Sequence, residues 1–188
     1  MTSQPKSYLT REEYLEQERK AEYKSEYHAG EVFALAGARR NHNLIVSTMN
    51  RLLGNQLADR ECNVYVSDLR VRIPGADAYV YPDVVVCCGE EQFEDEQQDV
   101  LLNPVVIVEV LSDSTEAYDR GRKFQIYQQI ESLREYILVS QNSHRIEQFV
   151  RQGEKDWVYT DHHDSEDKVI LASVGCELGL DEVYAKVK

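Results

Sequence analysis

Tyr79-Val80-Tyr81-Pro82-Asp83-Val84-Val85-Val86 is a short run rich in β-branched residues, and Pro104-Val105-Val106-Ile107-Val108-Glu109-Val110-Leu111 is apolar at nearly every position. Both read as buried strands, the second as a central strand covered on both faces. Each carries one carboxylate, Asp83 and Glu109. A carboxylate inside a buried strand needs a partner, because an unpaired buried charge is costly or shifts its pKa until it is neutral. Two of them on neighbouring strands point to a shared task.

The flanking sequence sets these strands in an α/β domain. Thr10-Arg11-Glu12-Glu13 is a capping box and predicts a helix to about residue 21. Ser25 to Leu35 alternates around Ala29-Gly30 as a hairpin, and Gly37 ends it. Between Asn41 and Ala58, Leu44, Ile45, Thr48, Met49, Leu52, Leu53 and Leu57 recur at helical spacing. Val64 to Ile73 reads as a strand, turned by Pro74-Gly75-Ala76-Asp77 into an antiparallel partner over Tyr79–Cys88. A helix capped by Ser114 or Thr115 should reach about Ile130, and a strand follows at Glu135–Val139. Strand, helix and strand make a right-handed parallel crossover. Shorter strands at Arg145–Val150, Trp157–Thr160 and Val169–Leu171 complete a mixed sheet. The expectation is a single domain over 1–188, with residues 1–9 a flexible N-terminus.

Composition narrows the class. The chain of 188 residues is 42% hydrophobic, as an ordinary soluble domain is. It holds no apolar run of the roughly 18 residues that a membrane span requires. Its first residues lack the apolar core of a secretory signal. The four cysteines, Cys62, Cys87, Cys88 and Cys176, show no metal-finger spacing, and adjacent Cys87 and Cys88 speak against a disulfide framework. Reduced thiols in a cytoplasmic protein are expected. The formal net charge of −13 runs against a nucleic-acid partner, whose binding face should be basic. Six carboxylates and no base fall between Glu90 and Asp99, however, so the acidity is concentrated in what reads as one solvated loop.

Lys123 can join the carboxylates. Eight helical residues from Thr115 to Lys123 rise about 12 Å, and three strand residues from Ser112 back to Glu109 span about 10 Å. A helix packed back on its strand therefore brings Lys123 level with Glu109, with Asp119 one turn earlier on the same face. Hard oxygen ligands such as Asp83, Glu109 and a main-chain carbonyl at Val110 suit Mg²⁺ or Mn²⁺ and a phosphodiester substrate. The lysine would steady charge developing on the phosphoryl group. The rival reading for Lys123 is a plain helix-surface pair with Asp119. Glu26 and Asp68 are candidate additions to the cluster, although Asp68 shares strand parity with Arg70 and could simply pair with it. His42 stands at a helix start suited to phosphate, against the alternative of a cap or surface histidine. Arg39, Arg40, Arg120 and Arg122 are candidate contacts to a DNA backbone, or partners of nearby carboxylates.

Taken together, several segments resemble the Uma family of restriction-endonuclease-like proteins, within the PD-(D/E)xK nuclease superfamily. They are Glu26-Tyr27-His28-Ala29-Gly30-Glu31, Ser67-Asp68-Leu69-Arg70-Val71, Tyr81-Pro82-Asp83-Val84-Val85-Val86, the run from Asn103 to Ser112, Asp119-Arg120-Gly121-Arg122-Lys123, and Ser132-Leu133-Arg134-Glu135-Tyr136. The resemblance implies a restriction-endonuclease-like fold, a central mixed sheet flanked by helices, and a metal-dependent site acting on DNA. Asp83 and Glu109 match the motif's acidic positions. Its lysine should stand two residues after the glutamate, where this chain has Leu111, but some superfamily members carry it on the following helix, as Lys123 would be here. Asp113 stands where the family has proline after the serine. A homodimer is implied by the superfamily's habit of pairing to reach both strands. The competing expectation is a catalytically silent nuclease fold serving as a nucleic-acid or protein binding module. Acid–base glycoside hydrolysis by the two carboxylates would leave the lysine idle.

Overall fold

Apolar residues of the central strand alternate between two cores, and that division organises the molecule. The computed structural model describes residues 8–187. Residues 1–7 of the expected flexible N-terminus lie outside that range; within it, the Leu9 N–H bonds the Gly30 carbonyl at 3.0 Å. A six-stranded sheet has the order β11 (Trp157–His162), β10 (Ile146–Arg151), β9 (Glu135–Ser140), β8 (Val106–Leu111), β6 (Val84–Cys88) and β3 (Cys62–Val66). The pair β8 and β9 is parallel and the other pairs are antiparallel. This is the expected mixed sheet with one crossover.

On one face, Val106, Val108 and Val110 pack with Ile45, Met49 and Leu53 of helix α2 (Arg40–Leu57). The hairpin of β12 (Lys168–Leu171) and β13 (Cys176–Gly179), together with the closing helix Leu180–Tyr184, completes that layer. On the other face, Ile107 and Leu111 meet Ile126 and Tyr127 of the crossover helix. A second sheet also covers this face, in the order β2 (Glu31–Ala34), β1 (Ser25–His28), β5 (Ala78–Val80), β4 (Arg70–Ile73) and β7 (Val100–Leu101). The capping box is present, with Thr10 accepting from Glu13 N–H and Glu13 accepting from Thr10 N–H ahead of helix α1 (Arg11–Glu18). The Ala29-Gly30 turn has φ of 48° and 89°, both left-handed, as a tight hairpin demands.

The long hairpin departs from expectation in an informative way. Its two strands pair antiparallel, but each breaks in the middle, so the root (β3 with β6) belongs to one sheet and the tip (β4 with β5) to the other. Ser67 takes a left-handed φ of 50°, and Pro82 brings no N–H to continue a ladder. Asp83 follows the second break directly. The crossover helix also differs from a plain α-helix. It spans residues 116–127 (α3) as an α turn (Glu116–Tyr118), a π turn (Asp119–Lys123) and a last α turn (Phe124–Tyr127).

Two further expectations are corrected. Cys62 and Cys88 form a disulfide, leaving Cys87 and Cys176 as buried free thiols. Adjacent cysteines on a strand point to opposite faces, so Cys88 meets its register partner Cys62 while Cys87 turns into the other core. The acidic stretch is also held down rather than free in solvent. Arg19 pairs with Asp95 at 2.7 Å and with Asp99 at 2.8 Å, Arg70 also binds Asp99, and Arg72 binds Glu94.

Candidate functional site

The register of β6 against β8 aligns Val84 with Val108, so one further rung sets Asp83 opposite Glu109. Strand parity turns Glu109 to the face that carries Ile107 and Leu111, toward α3, while Asp83 stands just outside β6. Asp83 is held there on one oxygen. Its Oδ2 accepts the Val110 N–H at 2.8 Å and lies 3.2 Å from Nε2 of His42. On an extended strand a residue's N–H and C=O leave the same side, so the Val110 carbonyl leaves β8 on the side of β6, beside the corner at Pro82-Asp83.

Glu109 and Lys123 are buried together, at 4% and 5% exposure. The Lys123 ammonium is 2.8 Å from Glu109 Oε1, 3.2 Å from Glu26 Oε1 and 3.8 Å from Asp119 Oδ1. Glu26, on β1, also accepts the Tyr81 N–H at 3.1 Å. The Asp119–Lys123 pair is thus an interior pair rather than a helix-surface one. Tyr127, one turn beyond Lys123 and fully buried, donates its hydroxyl to Glu109 Oε1 at 2.6 Å. Sequence reasoning missed Tyr127, although its spacing from Asp119 and Lys123 places it on the same helical face. Tyr136 on β9 donates to the Asp119 carbonyl at 3.1 Å and so ties down the π turn.

One ammonium serves three buried carboxylates, and burial is the largest influence on how Glu109, Asp119 and Lys123 titrate. Burial pushes the Glu109 carboxyl well above its ordinary value against the pull of Lys123, and burial also raises Asp119. Burial alone would depress Lys123, but Glu109, Glu26 and Asp119 together hold it well above the usual lysine range.

Asp83, Glu109, Asp119, Lys123, His42 and Tyr81 line one cleft of about 450 Å³. Among the described residues, no group of three or more His, Cys, Asp or Glu side chains is arranged to hold a metal ion. Asp68 stands outside the cluster and pairs with Lys24 at 2.9 Å, not with Arg70. His42 is neither a cap nor a surface residue; its side chain is 14% exposed and reaches into the cleft. Arg39 pairs with Asp113 at 3.2 Å, Arg120 with Glu116 and Glu147, and Arg122 meets His28 at 3.0 Å. Arg40 bonds its neighbour Asn41. Asp113 itself also accepts from Asn142 at 2.7 Å.

Comparison with known proteins agrees with this architecture. The family model described as "Uma2: Putative restriction endonuclease" matches residues 11–181. The chain belongs to the Uma2 family. Two Synechocystis relatives of this Uma2 chain, both described as uncharacterized, are sll1609 and slr1290. The first is 40% identical over 81% of this chain and 86% of its own length. The second is 36% identical over 97% of this chain and 94% of its own length. A crystal structure from Anabaena variabilis, described as "a putative nuclease belonging to DUF820", superposes with a TM-score of 0.79. It covers 96% of this chain and 99% of that one at 16% identity, so it speaks for the fold. The Uma2 chain therefore has the restriction-endonuclease-like architecture and a place among nuclease-superfamily proteins. None of its described helices is long and apolar enough to cross a membrane.

Proposed function

We propose that the cleft hydrolyses phosphodiester bonds of DNA with Mg²⁺ or Mn²⁺, held by Asp83, Glu109 and the main-chain carbonyl of Val110. One observation carries this reading: Lys123 enters from the following helix with its ammonium 2.8 Å from Glu109, supplying in space the lysine that position 111 lacks. The donor set fits the cation. Magnesium takes one or two carboxylates and completes its shell with water and substrate phosphate, so a pair of carboxylates suffices without a cage of three or more side chains. Glu109, Glu26 and Asp119 share the single ammonium of Lys123, which leaves carboxylate oxygens for a divalent cation.

The cation, when bound, supplies Lewis-acid polarisation of a phosphoryl oxygen. The chain's own groups set the stage. The Val110 N–H fixes the Asp83 carboxylate, Tyr127 fixes that of Glu109, and Lys123 faces the cleft as a fixed positive charge for the developing phosphoryl negative charge. Two copies would give the two clefts that a cut through both strands requires.

A plasmid-nicking time course with Mg²⁺ or Mn²⁺ tests the reading, with wild type, Asp83→Ala and Lys123→Ala side by side and EDTA as control. Metal-dependent nicking that both substitutions abolish is the expected result. Equal nicking in all three, or none in wild type, sinks it and favours a silent fold acting as a binding module.

A further inference from the structure

We infer that His42 is a positioning residue for Asp83, holding its carboxylate in the orientation that presents Oδ1 to a divalent cation. The inference rests on the metal-site reading above and extends it to helix α2, which otherwise serves the opposite core. His42 occupies the first turn of α2 and lines the cleft. Its Nε2 stands 3.2 Å from Oδ2 of Asp83, and the Val110 N–H reaches that same oxygen at 2.8 Å. Its Nδ1 is buried without a hydrogen-bond partner, so no second contact competes for the ring's orientation. Oδ2 is thereby approached from two sides, by a hydrogen bond from the central strand and by an ion-pair-distance contact from α2. Oδ1 is the oxygen left for a cation.

This contact also explains why a half-buried imidazole stands at an N-terminal helix turn that has no side-chain cap. Asp83 follows the strand break at Pro82, where only its downstream neighbour Val84 is in a ladder. There the Asp83 carbonyl accepts the Ser67 N–H at 3.1 Å, and the imidazole adds a contact to the side chain from outside the sheet. Partners of this kind beyond the ligands typically change metal affinity by about 10- to 100-fold when removed.

The test is Mn²⁺ binding to the intact protein without substrate, by calorimetric titration and by loss of the free-ion EPR signal. Wild type, His42→Ala, His42→Gln and Asp83→Ala are compared, with thermal melting as a check on folding. His42→Ala should weaken Mn²⁺ binding about tenfold or more. His42→Gln, whose amide N–H₂ can reach the same oxygen, should restore most of it. Wild-type affinity in His42→Ala, or equal loss in the Ala and Gln variants at unchanged melting temperature, would overturn the positioning role alone. Absence of Mn²⁺ binding by wild type would overturn the metal site, and the role of His42 with it.

Discussion

The Lys123 ammonium and the Tyr127 hydroxyl converge on the same oxygen, Oε1 of Glu109, at 2.8 Å and 2.6 Å. All three side chains are almost wholly withdrawn from water. Breaking such a buried pair on one side leaves a charge without its partner, which typically costs about 3–5 kcal/mol. Lys123→Met should therefore lower the unfolding free energy by about 3 kcal/mol. The double variant Lys123→Met/Glu109→Leu should recover only part of that loss, because Glu26 and Asp119 stay buried without the ammonium they share. Urea denaturation of the two proteins measures the difference.

Tyr127→Phe removes one donor to Glu109 and little volume. Hydrogen bonds to charged groups contribute about 1.5–3 kcal/mol. A loss of about 2 kcal/mol in urea denaturation is expected, with the Lys123 pair intact. A loss under half a kcal/mol would mean that Glu109 is satisfied without the hydroxyl.

Acid sensitivity should centre on the folded-back acidic loop. The hydrogen bond from Arg19 holds the Asp99 carboxyl below its usual range against the opposing effect of burial, with Arg70 adding to the pull. A carboxyl lowered by folding leaves the unfolded chain binding more protons in the interval between the two pKa values, so stability rises with pH there. The contribution is complete above the unfolded value of about 4 and disappears as pH falls through the folded one. Arg19→Ala should flatten the stability profile in that acid range. Melting temperatures between pH 7 and pH 3 would show it.

The Cys62–Cys88 bridge spans a sequence separation of 26, and loops of that order are stabilised by about 3 kcal/mol when cross-linked. Dithiothreitol, or the variant Cys62→Ser, should lower the melting temperature by several degrees. A thiol assay on the native, non-reduced protein should find Cys87 and Cys176 slow to react because both are buried. Denaturant should expose two thiols per chain.

The sequence was most legible where a single physical rule governs a stretch. The leucine and isoleucine spacing of α2, the capping box at Thr10 and the apolar run ending at Leu111 each fix an element, and the observed elements differ only at their ends. The nearness of Lys123 to Glu109 also follows from strand and helix rise. What was not legible depends on contacts remote in sequence. Pairing Cys62 with Cys88 needs the register of two strands, and the partners of the acidic loop, Arg19 and Arg70, come from other elements. The left-handed turn at Ser67 has no residue signature of its own, so Val64 to Ile73 reads as one strand. The strand Cys176–Gly179 and the closing helix Leu180–Tyr184 are too short to declare themselves, and they form only because Leu178, Leu180 and Val183 complete a core assembled elsewhere.

The broken hairpin has a mechanical consequence. Asp83 stands at the corner where the chain passes from one sheet to the other, Glu109 on the inner sheet and Glu26 on the outer one. The cluster is therefore gripped like an object between two jaws that share a bent spring, Tyr81-Pro82-Asp83. Its aperture is set by the angle at which the sheets splay. Packing changes at Val80 or Val85, apolar residues on either side of that corner, can widen or narrow the grip without replacing any of the groups it holds.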